Sequence, residues 1–218
     1  LETVLNMKII SFEMGRDMRH TVIKAIAAPI DNRNMLPWQD SYLSSKDFEL
    51  VLGEGYFGAE SIDIATTPHL LIGGGSGSGK SKLLKLILME SIKKGAKVIL
   101  ADFKGGVDYP LVWHQYCNII TAQSELDDQL SQILDEMERR RSLLVESQTS
   151  NIGEYNTKSD IVLPRLIIAC DEIAEVLDKT GLTKEGKELV SRTESKLSTI
   201  ARQGRAFGIH LVLSTQRP

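Results

Sequence analysis

Eight consecutive residues, Gly74, Gly75, Ser76, Gly77, Ser78, Gly79, Lys80 and Ser81, fit the spacing G-x-x-x-x-G-K-[ST]. Those residue types suit capture of a nucleoside triphosphate. Glycines let the backbone curl tightly and aim successive N–H groups at an anion. A helix starting where the loop ends adds unpaired N–H groups and the positive end of its dipole. Lys80 then reaches the β- and γ-phosphates as a point charge, and the Ser81 hydroxyl ligates Mg²⁺. The bland alternative is a flexible Gly/Ser linker, but linkers are not normally flanked by an apolar strand and a helix of 3.6 period. ATP and Mg²⁺ are therefore the expected cofactors.

A second constellation lies 91 residues past Lys80, where the apolar run Arg165-Leu166-Ile167-Ile168-Ala169-Cys170 ends in Asp171 with Glu172 next. In this arrangement the Asp holds Mg²⁺ through its water shell and the Glu polarises the attacking water. Many strands end in an acid, so the pattern gains its weight from sharing an α/β alternation with the phosphate loop. A further apolar strand, Ile209 to Leu213, ends at Ser214-Thr215-Gln216, and Gln216 is the candidate sensor of the γ-phosphate.

The elements that must position these groups follow from periodicity. Leu70 to Ile72 suits a buried strand entering the loop, and Leu83 to Leu88 belongs to a helix running to about Lys94, where Gly95 stops it. Val98 to Ala101 is the next strand, so strand, crossover helix and strand predict a parallel sheet with a right-handed connection. Its end, Asp102-Phe103-Lys104-Gly105-Gly106, falls where ligands bind in open α/β sheets; an ordinary strand-end turn is the equal alternative. Asn118 to Ile120 reads as a third strand. Ser124, with Asp127 three residues later, reads as the N-cap of a helix of about five turns built on Leu126, Leu130, Ile133, Leu134, Met137 and Leu144. Arg139 to Arg141 interrupt it, and a solvated helix face is the default for such a run. Between Thr183 and Phe207, lysines and arginines alternate with Glu185, Glu188 and Glu194, which favours an exposed helix over a nucleic-acid stripe.

Residues 1–48 read as an N-terminal appendage, with a candidate strand over Asn6 to Phe12 and an ambiguous segment from Thr21 to Ile30. Two short strands around Glu49 to Glu54 and Ser61 to Ala65, joined by a Gly-containing turn, lead into the core. The fold class is thus α/β, a mostly parallel central sheet flanked by helices, with domains at 1–48 and 49–218.

Composition bounds the function. A length of 218 residues suits one large domain with a small appendage. The formal net charge of −3 argues against wrapping DNA over a broad surface, although a few basic residues in a pore would escape that argument. No apolar run approaches the ~18–20 residues of a membrane span, and the first residues carry no signal-peptide pattern. Cys117 and Cys170 lack metal or redox spacing, which suits a reducing cytosolic interior, and the four scattered histidines form no metal set.

The sequence resembles the motor domain of the FtsK/SpoIIIE family of DNA-translocating ATPases. Pro68-His69-Leu70-Leu71, Glu136-Met137-Glu138-Arg139-Arg140, Asp171-Glu172 and above all Arg205 to Pro218 carry the resemblance, which covers about Leu50 to Pro218. It implies a RecA-like P-loop NTPase core and homo-hexameric rings that thread double-stranded DNA while hydrolysing ATP between subunits. It also implies a cytoplasmic motor in a membrane-anchored bacterial protein, tethered to secretion or conjugation machinery through parts outside this chain. Family motor domains continue past the position of Pro218, so the motor is expected to be C-terminally incomplete here.

Asp102-Phe103-Lys104-Gly105-Gly106 looks more like members associated with conjugation and type VII secretion than like chromosome-segregating pumps. The leading expectation is the coupling ATPase of a conjugative element. The rivals are the ATPase of a type VII-like protein secretion apparatus, a chromosome-segregation DNA pump and a regulatory nucleotide-binding module. The Glu-Arg-Arg segment makes Arg139 and Arg140 candidates for an arginine supplied to a neighbouring site. At 100° per residue Arg140 lies about 60° from the apolar position of Met137, and Arg139 points to nearly the opposite side. Arg202, Arg205 and plain structural salt bridges are the alternatives.

Overall fold

The computed structural model describes residues 8–14, 21–26, 37–55, 58–105 and 107–216. The chain divides into two compact units, residues 1–42 with 53–60, and residues 43–52 with 61–218. In the first unit, β1 (Lys8–Met14) pairs antiparallel with β2 (Thr21–Ile26), and the register shifts between Ile9 and Ser11. The β-branched run Thr21-Val22-Ile23 settles the ambiguous segment as strand. Asn6, the start of the expected first strand, and residues 27–30 lie outside the described residues. The expected pair of strands is β3 (Glu49–Gly55) with β4 (Gly58–Asp63), the second running earlier than the expected Ser61 to Ala65 because Ile64 and Ala65 already lie in the turn that follows.

The two compact units do not divide at the 48/49 position expected for the domains. Residues 43–48 belong to the larger unit because they pack there: Phe48 is buried, and the Arg165 guanidinium lies over its ring at 4.9 Å.

The larger unit runs β5 (His69–Gly73), α1 (Lys80–Lys93), β6 (Lys97–Ala101), β7 (Cys117–Ile120), α2 (Gln123–Glu146), α3 (Ile152–Lys158), β8 (Leu166–Cys170), α4 (Ile173–Val176), α5 (Lys184–Gln203) and β9 (Ile209–Thr215). Five strands form a parallel sheet in the order β5-β9-β8-β6-β7. The last strand in sequence is thereby wedged between the strand that feeds the phosphate loop and the strand that ends in Asp171. Strand β8 is buried at all five positions, as a central strand covered on both faces must be. Its side chains alternate between two cores. Ile168 joins Leu130, Ile133, Met137, Ile200 and Leu211 on one face, while Ile167 joins Leu84, Ile87, Leu88 and Leu100 on the other.

Two helix expectations are corrected. Helix α2 starts at Gln123 with Ala122 as its N-cap and no side-chain cap, so Ser124 lies within the first turn. Asp127 does not complete a capping box because its carboxylate faces α5, 2.7 Å from Lys196 Nζ. Nor do Arg139 to Arg141 interrupt this helix, which continues unbroken for 24 residues. By contrast, α5 does begin with Thr183 as a side-chain N-cap, its hydroxyl accepting from Gly186 N–H at 3.2 Å.

Candidate active site

Strand β5 delivers the chain into the loop, where Gly77 and Gly79 adopt φ of 74° and 96°, a left-handed backbone that only glycine takes without strain. Helix α1 then begins at Lys80, and its N-cap, Gly79, contributes no side chain to the first-turn N–H groups. Those donors, with the dipole behind them, are the means of holding an anion. Lys80 curls back over the loop, its ammonium donating to the Gly75 carbonyl at 3.0 Å.

The first turn of α1 and the end of β8 meet. Ser81 Oγ donates to Asp171 Oδ1 at 3.2 Å, across 90 residues of sequence. Asp171 is buried, and among the described residues its Oδ2 has no hydrogen-bond partner, although Lys104 Nζ stands 3.5 Å away. A buried carboxylate oxygen beside a hydroxyl is an oxygen donor set of the kind a hard divalent cation takes, so these residues fit Mg²⁺.

Lys104 is a site residue that strand-end reasoning left undecided. Its own N–H donates to Asp102 Oδ1 at 3.0 Å, which builds the turn after β6 and delivers the ammonium to Asp171. Burial opposes the charge on Lys104, but the carboxylates of Asp171, Glu175 and Glu172 outweigh it and raise its pKa.

Glu172, also buried, is held by the end of β9. Thr215 Oγ1 donates to Glu172 Oε1 at 2.9 Å, and the Gln216 N–H lies 3.2 and 3.1 Å from the two carboxylate oxygens. Ser214 Oγ donates to the main-chain carbonyl of Asp171. Gln216 is thus brought beside Glu172, with its side chain on the exposed tip. Sequence reasoning missed Ser214 and Thr215. The available signal was a pair of hydroxyls ending one strand, to be aligned with the Asp-Glu pair ending another.

The arginines separate sharply. Arg139 is 54% exposed along its side chain and grips Glu136 with two bonds of 2.6 and 2.9 Å. Arg140, by contrast, is 2% exposed: its Nε bonds Glu136 at 2.7 Å, Nη1 the Phe207 carbonyl at 2.7 Å and Nη2 the Pro164 carbonyl at 2.8 Å. A guanidinium so enclosed braces its own chain, an arrangement that favours a structural tie over an arginine supplied to a neighbouring site. The bond from Arg139, aided by Arg140, holds Glu136 at a pKa of about 2. Arg202 and Arg205 are exposed, with Nε on the Ser198 and Ala65 carbonyls respectively. Both cysteines are buried, which pushes the thiol of Cys117 to about 11 and that of Cys170 to about 12, so neither is a nucleophile.

Comparison with known proteins places this geometry. The sequence model of the FtsK/SpoIIIE family matches residues 43–163. The DNA translocase FtsK of Treponema pallidum (strain Nichols) is 37% identical over 183 residues, which cover 78% of this chain and 22% of that protein. Among solved structures, the pCW3 conjugation coupling protein TcpA, in a monomer form with ATPγS, is 40% identical with a TM-score of 0.84 over 100% of this chain and 62% of its own. The cytoplasmic domain of the Thermomonospora curvata type VII secretion ATPase EccC is 25% identical with a TM-score of 0.62, over 79% of this chain and 22% of that one. The chain therefore spans about a fifth of the length of the FtsK relative it matches. The fold is the RecA-like P-loop fold that the sequence predicts, shared with these P-loop relatives.

Proposed function

We propose, since the chain belongs to the FtsK/SpoIIIE family, that it is the motor of an ATP-driven double-stranded DNA translocase, the coupling ATPase of a conjugative DNA-transfer system. One observation carries hydrolysis above all. The phosphate loop and the carboxylate strand converge, with Ser81 3.2 Å from Asp171 and Glu172 fixed at the next position. The conjugative role is supported by the likeness to TcpA over the whole chain, against a shorter and weaker likeness to EccC.

In this reading the N–H groups of Gly74 to Ser81 cradle the phosphates and Lys80 neutralises the β- and γ-oxygens. Ser81 and Asp171 would hold Mg²⁺, which would supply further charge neutralisation at the terminal phosphate. Glu172 accepts a proton from the attacking water, and Gln216 reads whether the γ-phosphate is present. The assembly is a homo-hexamer in which Arg139 reaches a neighbouring site, working in the cytoplasm against membrane-tethered transfer machinery.

The test is ATP turnover of the assembled protein with and without duplex DNA. Stimulation by DNA is expected, together with loss of nucleotide binding in Lys80→Ala and retained binding without turnover in Glu172→Gln. Turnover indifferent to DNA but stimulated by a secreted protein substrate would move the protein to the secretion class, and full activity in Lys80→Ala would remove the site assignment.

A further inference from the structure

The end of β9 grips the end of β8 residue by residue. In the parallel ladder Cys170 lies opposite Leu213, so Asp171 and Glu172 continue opposite Ser214 and Thr215. Past the last backbone rung, hydroxyls prolong the pairing, Ser214 to Asp171 and Thr215 to Glu172. All four residues are buried, Ser214 at 0%, Thr215 at 3%, Asp171 at 3% and Glu172 at 8% exposure. A glutamate on three free torsions would otherwise sample many orientations, and fixing its side chain means overcoming up to ~1.5–2 kcal/mol of lost rotamer freedom.

We infer that Thr215 is a positioning residue for the general base Glu172. This rests on the hydrolytic reading above. The hydroxyl of Thr215 and the Gln216 N–H converge on Oε1, while among the described residues Oε2 accepts from that same N–H alone. Acceptor capacity for the attacking water therefore remains chiefly on Oε2, and the carboxylate cannot rotate to exchange its two oxygens without breaking the Thr215 bond. The donors also tie the base to the segment that carries Gln216. A shift of the strand tip on contact with a terminal phosphate carries Glu172 with it, so sensing and activation of water are mechanically one event.

The competing explanation is that Thr215 is a buried strand residue whose hydroxyl has merely found the nearest acceptor. Valine separates the two, because it keeps the shape and the strand preference of threonine and removes only the hydroxyl. The experiment uses the ATPase-competent assembled protein with duplex DNA, comparing Thr215→Val, Thr215→Ala and Thr215→Ser, with Glu172→Gln as control. Losing one hydrogen bond to a charged group predicts that Val and Ala each lower kcat by about 10- to 100-fold. The KM for ATP and the affinity for ATPγS stay within about twofold, and Ser recovers kcat to within about threefold.

Parent turnover in Thr215→Val, with Glu172→Gln inactive, overturns the inference and leaves the hydrolytic reading standing. Equal losses in Ser and Val, or loss of ATPγS binding in both Val and Ala, overturn it in favour of a packing role. Turnover surviving in Glu172→Gln overturns the base assignment itself and the inference with it.

Discussion

Arg140→Met tests whether this guanidinium is a brace or a finger, and the structure sets the size of the effect. Truncation strands two main-chain carbonyls, those of Phe207 and Pro164, and removes one of the two arginines on Glu136. An acceptor left without a partner inside a protein costs about 1–3 kcal/mol, and Pro164, only partly buried, belongs at the low end. Glu136 is 26% exposed and keeps Arg139, so its share is small, about 0.5–1 kcal/mol. Methionine fills most of the vacated volume, which keeps the cavity contribution minor. The expected loss is about 3 kcal/mol, a large fraction of the ~5–15 kcal/mol that holds a typical domain.

A pH dependence follows from Glu136, whose pKa falls from 4.5 to about 2 on folding. A depressed carboxylate contributes stability that is fully present above about pH 4.5 and is lost as the pH falls through about 2. The shift corresponds to at most ~3–4 kcal/mol, and solvent access to Glu136 reduces that to about 1–2 kcal/mol, shared between Arg139 and Arg140. Urea unfolding followed by far-UV circular dichroism at pH 7, 5 and 3 should therefore show a constant deficit at the first two values and a narrower one at the third. If Arg140→Met matched the parent within 0.5 kcal/mol at pH 7, the brace would be refuted.

Three other substitutions probe separate contacts. Arg139→Ala should change stability by less than about 0.5 kcal/mol, because its ion pair with Glu136 is exposed; as a finger, it should lower ATPase by ~10³-fold or more and regain activity when mixed with Lys80→Ala subunits. Parent-level ATPase in Arg139→Ala would remove it from that role. Lys104→Met leaves the Asp171 carboxylate with the hydroxyls of Ser81 and, at 3.5 Å, Ser214, and since Lys104 is 31% exposed the expected loss is about 1–2 kcal/mol in urea unfolding with EDTA; an unchanged midpoint would show the contact to be inert. Gly208→Ala places a Cβ 2.8 and 2.9 Å from Ile152 at φ +65°, so left-handed strain and crowding together should remove about 2–3 kcal/mol by calorimetry. A loss below 0.5 kcal/mol would mean that Ile152 turns aside freely.

The core of the fold was legible because its signals are local. Leu166 to Cys170 is apolar at every position, and a strand covered on both faces has no other composition available. The first turn of α2 was misread for a reason local pattern cannot contain. Ser124 and Asp127 have capping-box spacing, but Lys196, far along the chain, takes the Asp127 carboxylate. The grouping of residues 43–48 with the larger unit is likewise invisible to local pattern, because Phe48 and Asp47 are bound from a distance by Arg165, which stacks on one and pairs with the other.

The site divides along the same line. Lys80, Ser81, Asp171 and Glu172 announce themselves by residue type, since phosphate, a hard cation and a proton each demand a particular group. What orients those groups is set by strand order, and strand order is not written in any window of sequence. Had β8 followed β5 directly in the sheet, Ser214 and Thr215 would end a strand remote from the carboxylates, with the same residues and periodicity. Because β9 is inserted between them, hydroxyls 43 residues away become the donors that hold Asp171 and Glu172. The arginine run makes the converse case: a helical wheel puts Arg140 at the margin of the apolar face, and only the carbonyls of Pro164 and Phe207, supplied by two other segments, decide that the margin is interior. Of the two candidates on this helix, Arg139 is the one that the proposed ring assembly would use across a subunit junction, and to do so it must first release Glu136. The pairing that holds the Glu136 pKa near 2 in the isolated chain should therefore weaken when a ring forms around nucleotide, raising that pKa toward its ordinary value. Carboxylate-resolved NMR or infrared titration of Glu136 in the free and assembled protein would show the rise, and an unchanged value on assembly would leave Arg139 a surface ion pair.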